Sequence, residues 1–156
     1  RFDATWLRDA DPMHGFVPYL YPHRADNEAF IREAVDLTAL NAFLEEKNAN
    51  LDKAHRYTLF HCVAAALIKT LTLRPKMNYF VQGNRLYSRD HLSLAFVVKK
   101  QFSDEGKEAL AFIKFPEDTT LDSLHDRVMQ EIFECRREDA VDNSTAGMDM
   151  LMKIPR

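Results

Sequence analysis

The sequence holds 156 residues and 18.1 kDa, enough for one ordinary domain with a core of its own. Hydrophobic residues make up 46% and charged residues 29%, a balance that excludes a disordered tail and a coiled coil. Lys and Arg number 21 against 24 Asp and Glu, a formal charge of -3, so the net charge makes no case for nucleic acid.

Two cysteines, Cys62 and Cys135, stand far apart with no partner motif, which points to a reducing compartment. The longest apolar run, residues 62–68, is too short to cross a bilayer. No basic segment leads into an apolar one at the start. The expectation is a cytoplasmic protein with no membrane contact. The chain begins at Arg1 and stops at Arg156, and is read as a piece of something longer.

Residues 1–27 carry Pro12, Pro18 and Pro22, with Phe16, Tyr19 and Tyr21 between them. Proline fixes its own dihedral and pushes its predecessor toward extended geometry, so this stretch is predicted as an extended arm rather than a helix. Residues 29–37 read as a strand, and Thr38 as the N-cap of a helix striped by Leu40, Phe43 and Leu44. Asn48 and Asn50 close that helix. A second helix, apolar on several sides and expected under a sheet, runs over 57–73 until Pro75.

Gly83-Asn84 between two β segments predicts a tight hairpin. Residues 91–99 are apolar or small on both faces, as in a strand in the middle of a covered sheet. A polar turn at 103–107 leads to a return strand over 108–115. Thr119 and Asp122 suggest a capping box. Leu121, Leu124, Val128 and Ile132 then mark a helix to about Arg137. Residues 138–156 read as polar loop and irregular tail. The expected class is α/β in the broad sense (α+β): a mixed sheet, helices on one face, the other face left for something else to cover. The expected division is an arm at 1–27, a core at 28–137 and a tail at 138–156.

Chemistry is sparse. The six histidines, His14, His23, His55, His61, His91 and His125, include no pair at metal-ligand spacing, so no metal is expected. No glycine-rich run precedes a helix. Cys62 in an apolar helix reads as a packed thiol. Arg136 and Arg137 beside Cys135 would lower its thiol pKa, but the last turn of an amphipathic helix explains them equally. Lys99-Lys100 reads as a solvated strand end. His23-Arg24-Ala25-Asp26 is the most chemical-looking cluster, since an arginine there can grip a carboxylate with two parallel bonds.

These residues resemble a family. Arg24-Ala-Asp-Asn, then Val35-Asp36-Leu37-Thr38 before one helix, then Leu73-Arg74-Pro75-Lys76-Met77-Asn78 after the next, look like the start of the chloramphenicol acetyltransferase-like fold. They are similar in particular to the acyltransferase catalytic domain of 2-oxo acid dehydrogenase complexes. The segment from Phe80 to His91 resembles that domain's hairpin, and Leu94 to Lys100 its central strand; the similarity runs from about residue 10 to 137.

The resemblance implies acyl transfer between coenzyme A and a thiol or hydroxyl acceptor, a lipoyl group or a small molecule. It also implies a homotrimer with the pocket shared between subunits. In that family a histidine of an HxxxDG motif is the general base. No Asp-Gly occurs in this sequence, so no catalytic residue is assigned and the 156 residues alone are predicted inactive. Arg24 is the one site-supporting residue carried over, its family counterpart pairing with the aspartate of HxxxDG. The alternative is a non-catalytic oligomeric binding or scaffolding relative. A condensation domain of peptide assembly lines shares the fold but is longer and built of paired halves.

Overall fold

The computed structural model describes residues 2–100 and 108–137. Among these residues the class is α+β, with four α-helices and two small sheets. The chain divides into two compact units, Arg1–Arg56 with Lys69–Leu92 and Tyr57–Ile68 with Ser93–Arg156. No helix among the described residues is long and apolar enough to cross a membrane.

In the first unit, β1 (Ala4–Trp6), β2 (Tyr79–Gln82) and β3 (Arg85–Arg89) form an antiparallel sheet with β3 in the middle. Trp6 pairs with Tyr87, and Phe80 pairs with Tyr87 from the other side. The predicted hairpin is present. Gly83 and Asn84 both take positive φ, 55° and 58°, the conformation that lets a two-residue turn follow the twist of its strands.

The segment read as an extended arm holds β1 and a helix, α1 (Pro12–Leu20). The proline rule fails here for a local reason. Asp11 caps the helix by accepting from the Met13 amide at 2.9 Å, and Pro12 occupies the first helical position, where no amide partner is needed. Pro18 lies inside α1 and is buried, so the donor it lacks is lost in a short helix that ends two residues later.

Residues 29–37 are not a strand. They are irregular and exposed, with Phe30 at 91%, Ile31 at 85% and Val35 at 76%. A strand satisfies its backbone only through a neighbour, and no described strand pairs with this one.

Helix α2 (Thr38–Asn48) starts one residue before the predicted cap allows. Asp36, not Thr38, supplies the capping oxygen: its carboxylate accepts from the Thr38 amide at 2.9 Å and the Thr38 hydroxyl at 2.6 Å. Those two bonds hold the Asp36 carboxyl below the usual carboxylate range. A 3₁₀ turn over Pro75–Asn78 precedes the hairpin, and Asn78 donates through Nδ2 to the His91 carbonyl at 3.2 Å.

Helix α3 (Leu59–Leu73) contributes to both units. It is less covered than its composition predicts. His61, Ala64 and Ile68 are buried, while Val63 and Leu67 are about half exposed.

In the second unit, β4 (Leu92–Lys99, from Ser93 onward) pairs with β5 (Glu108–Phe115) alone among the described residues. That differs from the position in the middle of a covered sheet that the sequence predicts for β4. Strand β5 alternates strictly: Ala109, Ala111, Ile113 and Phe115 are buried, whereas Leu110 and Phe112 are exposed. Helix α4 (Leu121–Arg136) packs on β5.

Leu124 and Val128 of α4 are wholly buried, each contributing about 1.5–3 kcal/mol by leaving water. Arg127 and Arg136 tie the helix to carbonyls of Lys114 and Lys99. The capping box sits one residue later than predicted. Thr120 and Ser123 cap reciprocally, while the Thr119 hydroxyl closes the preceding turn on the Pro116 carbonyl at 2.6 Å. The predicted turn at 103–107 and the tail at 138–156 lie outside the described residues.

Candidate functional site

The residue carried over from the resemblance, Arg24, opens a 3₁₀ turn over Arg24–Asn27. Its side chain is 93% exposed and pairs through Nε with Glu28 at 2.9 Å. The turn itself is well built: Asn27 donates to the Tyr21 carbonyl at 3.0 Å. Arg24 lines an open cleft of about 650 Å³ with Tyr21, His23, Glu28 and Phe80. Asp26, two residues on, is engaged with the His23 amide. The cluster that is most chemical-looking in the sequence is therefore a solvent-facing rim whose arginine, among the described residues, holds only an exposed glutamate.

A second cluster lies in the other unit, and the sequence does not announce it. Its imidazoles, His61 on α3 and His125 on α4, are 4% and 5% exposed. Their ring centroids are 4.9 Å apart. Tyr57 stacks on His125 at 3.9 Å and donates its hydroxyl to Asp122 at 2.8 Å. Burial, then the Asp122 carboxylate, pushes the Tyr57 phenol up to about 12. His125 in turn contacts Asp126 through Nδ1 at 3.2 Å.

The protonation of His61 follows from its partners. Its Nδ1 accepts the Thr58 backbone N–H at 3.0 Å and the Thr58 hydroxyl at 2.9 Å. This is a helix cap: the third residue of α3 reaches back to the residue before the helix. With Nδ1 an acceptor, the proton of the neutral ring sits on Nε2. That atom is buried and has no hydrogen-bond partner among the described residues. Burial first, and the neighbouring His125 second, lower the His61 pKa to about 4.

A general base must reach the proton it removes from a bound substrate. His61 and His125 are sealed among Tyr57, Phe60 and each other, so this cluster joins α3 to α4 rather than acting on a solute. Spacing could not have revealed it, because 61 and 125 are brought together by tertiary packing. Cys62 and Cys135 are half-buried and not joined in a disulfide, and burial pushes the Cys62 thiol up. No group of three metal-ligating side chains occurs among the described residues. Comparison with protein-family models, with curated proteins and with solved structures finds no match for this chain.

Proposed function

We propose that the chain is the N-terminal portion of a chloramphenicol acetyltransferase-like domain. The complete protein transfers an acyl group between coenzyme A and a thiol or hydroxyl acceptor, as a homotrimer. One observation supports this reading: the two short motifs of the resemblance both form hydrogen-bonded helix boundaries. Asp36-Leu37-Thr38 opens α2 through the Asp36 carboxylate. Pro75–Asn78 follows α3 and fastens to His91 ahead of β4.

The exposed apolar surfaces support the assembly. Phe30, Ile31 and Val35 in one unit, and Leu110 and Phe112 in the other, are too large and too exposed for a finished surface. In this reading the catalytic base comes from residues beyond these 156, and Arg24 awaits a carboxylate in place of Glu28.

The test is release of coenzyme A from acetyl-coenzyme A by the complete protein, with dihydrolipoamide or a small hydroxyl compound as acceptor. Acceptor-dependent release is the expected result. A complete protein that is inert toward every acyl thioester and acceptor, yet still assembles, moves the assignment to the scaffolding alternative.

A further inference from the structure

Strand β5 carries a charge pattern that complements itself. Alternate residues share one face of a strand, so Glu108, Leu110, Phe112 and Lys114 project together from β5, and all four are exposed. Ala109, Ala111, Ile113 and Phe115 form the covered face.

Among the described residues β5 has one strand neighbour, β4, and its other edge has none. A regular edge of eight residues without proline or glycine is a template for another strand, since its outward amides and carbonyls lack ladder partners. Arg127 reaches the backbone of β5 only near its end, with a long bond of 3.3 Å to the Lys114 carbonyl.

The sequence of β5 names the strand that fits. Turned antiparallel about Ala111, a second β5 sets Glu108 against Lys114 of the other copy, Leu110 against Phe112 and Ala109 against Ile113. Each opposed pair is then opposite in charge or apolar on both sides, the combinations that stabilise a sheet. Turning about Leu110 or Phe112 instead sets Glu108 against Phe112, or Lys114 against Leu110, and loses both ion pairs. Axes between residues place the open face of one copy beside the covered face of the other. Strand β4 offers no such register, because it contains no acidic residue to meet its Lys99.

Helix α4 leaves room for the pairing. A helix about 10 Å wide spans two strands at about 4.8 Å spacing. Through Arg136 on the Lys99 carbonyl and Arg127 on the Lys114 carbonyl, α4 reaches both strands of its own sheet.

We propose that β5 is a two-fold docking edge for a second copy of this chain. The contact joins two β4–β5 pairs into one four-stranded sheet, with a Glu108–Lys114 ion pair at each end of the β5–β5 seam. It does not rest on the acyltransferase reading; in a trimeric protein it links one trimer to another. A single strand edge buries little surface, so half-association is expected at roughly 100 μM.

Sedimentation equilibrium of the 156-residue chain from about 10 μM to about 1 mM reads the association, and a monomer–dimer equilibrium is expected. Glu108→Lys sets lysine against lysine at both ends, and Lys114→Glu sets glutamate against glutamate. Each is expected to weaken the dimer about ten-fold. Combining the two substitutions restores both pairs with their signs exchanged, and that double variant is expected to associate like the parent. Circular dichroism checks that each variant is folded, as the exposure of both positions predicts.

A parent that stays monomeric at the highest concentration, or that forms trimers instead of dimers, would overturn the proposal. So would single reversals that associate like the parent, or a double variant no tighter than the singles. None of these readouts involves acyl transfer, so failure of that reading and failure of this one are separate results.

Discussion

The imidazoles of His61 and His125 lie 4.9 Å apart, both almost wholly buried, one on α3 and one on α4. The Thr58 amide already occupies the Nδ1 that a second proton on His61 would need. The pair therefore joins the helices only while His61 is neutral.

This sets an acid limit on stability. The His61 pKa falls from 6.5 to about 4 on folding, so between those values the unfolded chain binds the proton that the folded chain refuses. Stability is full above 6.5 and declines as pH drops toward 4, by on the order of 2 kcal/mol from this group. Thermal melts from pH 7.5 to 4.5 should show the fall. In His61→Asn, whose side-chain oxygen can still accept the Thr58 amide, the decline should be markedly shallower; an unchanged slope would assign the acid sensitivity elsewhere.

Tyr57 makes another polar contact of that cluster, with Asp122. Removing its hydroxyl in Tyr57→Phe keeps the stacking on His125 and deletes the bond to Asp122. The expected loss is about 1 kcal/mol, read as a lower urea midpoint with unchanged slope. No change in midpoint would mean that water replaces the phenol at no cost.

The hairpin turn offers a purely conformational test. Nothing lies within 4 Å of a methyl group added at Gly83, yet its φ is +55°. Gly83→Ala should therefore cost about 1 kcal/mol without any clash. Asn84→Gly, at φ 58°, should be close to neutral. Equal stability of parent and Gly83→Ala would place the turn in another conformation.

Arg24 separates structure from function. Among the described residues its only ion pair is the exposed one to Glu28, so Arg24→Ala should move stability by less than about 0.5 kcal/mol. In the complete protein the same change should lower acyl-transfer turnover strongly. Unchanged kinetics in a stable variant would remove Arg24 from the site.

What the sequence revealed follows from how local each signal is. The stripe through Leu124 and Val128 and the Gly83-Asn84 turn are local patterns, and both elements are present. Helix α1 was hidden because one capping carboxylate, Asp11, outweighs the signal of three prolines. Residues 29–37 read as a strand from their composition, but composition cannot supply the neighbour a strand requires. The meeting of His61 with His125 leaves no trace in spacing.

The most direct measure of the central claim is the solution mass of the complete protein by sedimentation equilibrium. An acyltransferase subunit that closes Phe30, Val35, Leu110 and Phe112 against its neighbours should sediment as a trimer across the micromolar range. A stable monomer with those surfaces in water would contradict the shared-pocket account and the function built on it.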